Sequence, residues 1–277
     1  MSHADAQRAL AVSDVAGRQM DVALHDGMLI RTAGPTDAPV LLFIHALADC
    51  GLAFTRLFAT PLVDEFRLIA VDLPGCGVSP RRDDVLTIAQ HAEALVTLVR
   101  SLSASGPIGL VGHSVGSMIA VEAAAHLGAR FGGLFSIEGN LTAEDAYFSG
   151  RAADFDDPDA LKQRFLSDLW NMGQERPILR RFHGVATMAD ARAMWSLGRD
   201  ARRLSVGDAP GRAYLRVRPS LYYWSAKSTM PSTRDWIATS GVAHQQFTDA
   251  SHWPMIDQPS VTAQAIQAFF RSSFAGR

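Results

Sequence analysis

Gly112-His113-Ser114-Val115-Gly116 decides how the rest of this chain is read. Ile108-Gly109-Leu110-Val111 before it has the apolar character of a short buried strand, and Ser117 to His126 after it predicts a helix. A serine at a tight strand-to-helix turn is forced into a strained, exposed position. The flanking glycines let neighbouring backbone come close, and the helix N-terminus aims N–H groups at charge forming near the hydroxyl. The pentapeptide alone would also suit a plain glycine-rich turn. Strand, pentapeptide and helix in that order point to Ser114 as a nucleophile.

Outward from this turn, strands and helices alternate, which implies a mostly parallel sheet with helices on both faces. Met20 to Leu24 and Met28 to Thr32 flank His25-Asp26-Gly27 and predict a hairpin. Val40 to Ile44 and Phe66 to Val71 are continuous apolar runs of strand length. Leu86 to Leu102 has helical spacing. Gly133 to Ile137, Ser220 to Trp224 and Ala243 to Phe247 read as further strands, and Thr262 to Phe270 as a closing helix. Between Leu141 and Arg218 strand-like runs vanish. Ala160 to Trp170, Ile178 to Val185 and Asp190 to Leu197 are amphipathic there. The expected organisation is a core of residues 1–140 and 219–277, with 141–218 inserted as a helical cap.

A serine hydroxyl needs a base, and the base needs an orienting acid. His252, in Asp249-Ala250-Ser251-His252-Trp253-Pro254, follows the last predicted strand. It therefore falls at the carboxyl ends of the strands, where sites gather in open α/β sheets. His126 and His91 lie on predicted helices, His244 starts a strand and His183 belongs to the cap. The acid is less plain. The loop after Trp224 reads Ser225-Ala226-Lys227-Ser228-Thr229-Met230 and holds no carboxylate. Glu138 ends the preceding strand, where a carboxylate is costly unless paired. Glu138 is the favoured acid, with Asp235 and Asp249 as alternatives. Two N–H donors are needed for the oxyanion. Val115, after the nucleophile, and Leu47, in His45-Ala46-Leu47-Ala48-Asp49, are the candidates.

Four stretches together resemble the α/β-hydrolase superfamily: Phe43 to Leu47, Asp72-Leu73-Pro74-Gly75-Cys76-Gly77-Val78-Ser79, Gly112 to Gly116, and Ser251 to Pro254. The resemblance runs from about Met20 to the C-terminus and implies the α/β-hydrolase fold with a variable cap. It also implies the chain order Ser, acid, His. The second stretch is similar to the family's Asp-x-Pro-Gly-x-Gly-x-Ser turn, which helps to shape the entrance. Ala46 stands where the family usually has Gly, Cys76 replaces a frequent His, and no carboxylate follows Trp224. Some relatives, haloalkane dehalogenases among them, take the acid from the preceding strand, the Glu138 position. Dehalogenases and epoxide hydrolases use an Asp nucleophile, and Ser114 argues against both.

Bulk properties are compatible with an enzyme of this kind. The chain has 277 residues, 48% hydrophobic and 19% charged, with a net charge of −2 that argues against a nucleic-acid partner. Cys50 and Cys76 have no metal-ligand spacing. Met1 to Asp14 holds no long apolar run, and no stretch of about 18 apolar residues occurs, so a secretory leader and a membrane span are not expected. The expected location is cytoplasmic. The expected enzyme is a serine hydrolase acting on a small-molecule ester or thioester with an apolar acyl group, with no cofactor or metal implied. Trp170, Phe182 and Trp253 are the candidate substrate contacts. Acyl transfer and carbon–carbon bond hydrolysis use the same machinery, and a non-catalytic receptor is a rival of another class.

Overall fold

A ribbon of antiparallel strands begins the chain in the computed structural model, which describes residues 11–15, 18–102 and 106–275. Its strands are β1 (Ala11–Val15), β2 (Arg18–His25) and β3 (Met28–Ala33). Asp26 and Gly27 turn β2 into β3, both at positive φ (48° and 75°), as a tight hairpin turn requires. Alternation follows through β4 (Val40–Ile44), α1 (Leu62–Glu65), β5 (Arg67–Val71), α2 (Ile88–Ser101), β6 (Ile108–His113), α3 (Val115–Leu127) and β7 (Phe131–Ile137). The expectation for a leader in Met1 to Asp14 falls mostly outside the described residues.

Next comes a helical excursion: α4 (Pro158–Gly173), α5 (Pro177–Ala186), α6 (Ala191–Leu204) and α7 (Ala209–Leu215). The sheet then resumes with β8 (Ser220–Trp224), α8 (Pro231–Ser240), β9 (His244–Gln246), α9 (Pro254–Asp257) and α10 (Pro259–Phe274). The strand order is β1-β2-β3-β5-β4-β6-β7-β8-β9, with β4 to β9 all parallel. β4, β6 and β7 are buried along their whole length, as strands covered on both faces must be.

Local chemistry sets the helix ends. Thr87 and Gln90 form a reciprocal capping box that starts α2 at Ile88, two residues after the predicted start at Leu86. Pro259 at the first turn starts α10 three residues before the predicted Thr262, because its missing N–H is not needed there. Asp157 and Asp190 cap α4 and α6 through their carboxylates. β1 was not foreseen, since Ala11 to Val15 carries no strong alternation.

The excursion rests on loops at the carboxyl ends of the strands. Asp190 N–H donates to the Gly75 carbonyl (2.7 Å), and Ile88 N–H donates to the Asp200 carboxylate (2.8 Å). Asp200 caps the N-terminus of α2 from across the chain, so α6 is fastened to the core by a buried charge-assisted bond.

Candidate active site

Ser114 sits between β6 and α3 at φ 53° and ψ −127°, a conformation that costs a non-glycine residue on the order of 1–3 kcal/mol. The surrounding backbone enforces it. Ser114 N–H donates to the Ile137 carbonyl (3.0 Å), tying the turn to the end of β7. The Ser117 hydroxyl donates to the Gly112 carbonyl (2.8 Å) and accepts from the Ser136 hydroxyl (2.9 Å). A Cβ at Gly116 would collide with the Ile44 carbonyl, so α3 approaches β4 only because that position is glycine. Val115 opens α3, so its N–H has no acceptor one turn back along the helix.

Glu138 is the residue just past β7, also at positive φ (43°). Its N–H is held by the Tyr223 carbonyl (2.9 Å). Oε1 accepts from Ser225 N–H (3.0 Å), the Ser228 hydroxyl (2.5 Å) and the Thr229 hydroxyl (3.3 Å). Oε2 lies 2.6 Å from His252 Nδ1. The cost of burying this carboxylate is thus offset by four donors. Asp235 lies on α8 and Asp249 in the loop after β9, and neither bonds to His252. With Nδ1 donating to Glu138, Nε2 is the free ring nitrogen. Among the described residues the Ser114 hydroxyl has no hydrogen-bond partner.

Two further histidines, each inside a quoted motif, fix the frame. His113 Nε2 donates to the His252 carbonyl (2.8 Å), and the two rings lie 4.6 Å apart. Burial first, then the neighbouring His252, holds His113 well below the usual imidazole range, so it stays neutral. His45 Nε2 accepts from Leu73 N–H (2.9 Å), which places its proton on Nδ1, facing the Ala46 carbonyl (2.7 Å). Burial lowers its pKa too. His45 therefore pins the loop that carries Leu47. Leu47 itself is buried, close beneath Gly198 of α6, where an added Cβ would collide with the Ser149 carbonyl and the Ala152 side chain.

The candidate substrate contacts divide. Phe182 on α5 is buried, with its ring 5.0 Å from Trp253, which in turn lies 5.2 Å from His252. Trp170 on α4 is 54% exposed and packs on His183 (5.4 Å), not on those rings. Sequence reasoning missed Asp49 and Arg181. Buried Asp49 accepts from Trp253 Nε1 (2.9 Å) and Cys50 N–H (2.9 Å), joining the Leu47 loop to the His252 loop. Arg181 comes from the excursion, where one of two adjacent arginines on an amphipathic helix gives no signal. Among the described residues no group of three or more His, Cys, Asp or Glu could hold a metal ion, and no helix is long and apolar enough to cross a membrane.

Comparison with known proteins agrees with this architecture. The chain is 28% identical over 265 residues to the pimeloyl-[acyl-carrier protein] methyl ester esterase of Methylococcus capsulatus, covering 89% of this chain and all of that one. It is 37% identical over 93 residues to the magnesium-chelatase 30 kDa subunit of Rhodobacter capsulatus. That match spans about a third of each protein (33% of this chain, 32% of the relative). In fold it is similar to a thermophilic esterase from Thermogutta terrifontis, with TM-score 0.70 and 21% identity over 97% of this chain and 99% of that one. The model of the Alpha/beta hydrolase family matches residues 41–265, and the chain belongs to that family.

Proposed function

We propose that the chain is a serine hydrolase that cleaves an ester or thioester with an apolar acyl group through an acyl-enzyme on Ser114. One observation carries this reading: Glu138 and His252 meet at 2.6 Å beside a strained serine at a strand-to-helix turn. In the proposed cycle Ser114 Oγ attacks the acyl carbonyl carbon while His252 Nε2 takes its proton. The Glu138 carboxylate holds the imidazole in that tautomer and stabilises the imidazolium. Val115 and Leu47 N–H groups receive the oxyanion. His252 then protonates the leaving oxygen or sulfur, and water attacking the acyl-enzyme returns Ser114. The excursion of residues 141–218 acts as the cap, with Phe182 and Trp253 forming the apolar wall. The esterase named among the relatives supports this class of reaction.

An organophosphonate should label the protein at Ser114, and Ser114→Ala should abolish both labelling and ester turnover while the fold persists. Full esterase activity in folded Ser114→Ala would overturn the mechanism.

A further inference from the structure

Arg181 hangs from α5 on the side that faces the candidate site. Phe182, beside it on the same helix, packs on Trp253. Its Nη1 lies 3.9 Å from Asp49 Oδ1, on the loop that carries Leu47. Its charge is also felt at His113, next to the nucleophile, after the larger effects of burial and His252.

The guanidinium is poorly satisfied there. A separation of 3.9 Å is an ion pair without a hydrogen bond. Asp49 has already committed Oδ1 to Cys50 N–H and Oδ2 to Trp253 Nε1. Among the described residues Arg181 makes no hydrogen bond, and its Nη1 is closed off from solvent without a partner. The side chain as a whole is partly open to solvent, 29% exposed, but Nη1, on the Asp49 side, is a donor that no acceptor of the chain satisfies. An anionic group entering between α5 and the Leu47 loop would supply that acceptor with a charge-assisted bond.

We propose that Arg181 is the specificity residue for a substrate whose apolar acyl chain ends in a carboxylate. This inference rests on the Ser114 hydrolase reading. Phe182 and Trp253 would contact the chain and the guanidinium fork its carboxylate. A carboxylate fits better than a phosphate. Asp49 offsets part of the Arg181 charge, so a monoanionic carboxylate meets less repulsion there than a dianionic phosphate would.

The test compares para-nitrophenyl hydrogen adipate with para-nitrophenyl hexanoate, whose acyl groups have the same chain length and differ in the terminal carboxylate. The quantity read is the ratio of their kcat/KM values. The wild type should favour the adipate ester, and Arg181→Gln should lower the ratio roughly 10- to 100-fold, as expected when a charge-assisted bond partly open to solvent is removed. Arg181→Lys, which keeps the charge and loses the fork, should fall between. It supplies the reading if the Gln variant does not fold.

A ratio unchanged in both variants overturns the proposal and leaves Arg181 a structural counter-ion of Asp49. A wild type that is labelled at Ser114 and hydrolyses the hexanoate ester, yet shows no preference for the adipate ester, overturns the proposal while the hydrolase reading stands. A wild type that takes no organophosphonate and cleaves neither ester overturns both. Hexanoyl-coenzyme A is the third arm. If Arg181→Gln impairs its turnover and leaves the adipate ratio intact, the anion is a phosphate and the carboxylate assignment is overturned.

Discussion

His252 Nδ1 and Glu138 Oε2 lie 2.6 Å apart although 114 positions separate them in the chain. Glu138→Gln replaces the acceptor by an amide while leaving the side-chain shape. Turnover should fall by roughly 10²–10⁴-fold with a smaller change in KM. Asp235→Asn, on α8, should be nearly silent. Steady-state kinetics on an activated ester decides the matter, and equal losses in the two variants would remove Glu138 from the proposed role.

Phe182 and Trp170 should part company. Phe182 is buried against Trp253, whereas Trp170 is half exposed on His183. Phe182→Ala should shift the preference among acyl-chain lengths, and Trp170→Ala should shift it far less. A profile over para-nitrophenyl esters from acetate to octanoate reads this out. An equal shift in both variants would place Trp170 at the substrate after all.

Asp72 should matter for stability more than for chemistry. Its carboxylate accepts from Arg31 (2.6 Å and 3.3 Å), Gly51 N–H (2.8 Å) and Val78 N–H (3.0 Å), and both side chains of the ion pair are buried. Asp72→Ala would strand the Arg31 guanidinium and should cost about 3–5 kcal/mol in urea unfolding. Adding Arg31→Met should recover much of that loss. A single variant as stable as the wild type would mean that water takes the place of the carboxylate.

His91 should make stability fall in acid. It is buried on α2 with neither ring nitrogen partnered, and burial, the largest cause, pushes its pKa from 6.5 down to about 3. The folded state holds it neutral, while the unfolded chain takes a proton near pH 6.5. Its contribution is complete above pH 6.5 and is lost as pH falls from 6.5 toward 3, at about 1.4 kcal/mol per unit. His91→Phe should flatten the stability profile between pH 6 and 4 by about that slope. Parallel profiles would show that His91 takes up its proton as readily in the folded state as in the unfolded one.

Much of the fold is legible in the sequence because parallel strands buried on both faces write continuous apolar runs, as β4 and β6 do. Ser114, Glu138 and His252 could be singled out because each follows a strand, and strand ends in such a sheet converge. Helix ends were less legible. They turn on single capping residues such as Thr87 and Pro259, which periodicity ignores. Arg31 and Asp72, or Asp49 and Trp253, meet only through long-range packing, so neither pair leaves a spacing to read. Arg181 was illegible for the same reason. Its meaning comes from what lies beneath α5, not from α5.

The three donors that hold Glu138 Oε1 all come from the loop after β8, the place where the family more often carries the acid itself. The two loops thus divide one task, and neither can change alone. Ser228→Asp by itself would set a second carboxylate against the first, two like charges that cannot both stay ionised. Glu138→Ser by itself would leave the imidazole without an acceptor and the hydroxyl cage empty. In the proposed triad, an acid on the other strand therefore requires changes in both loops together.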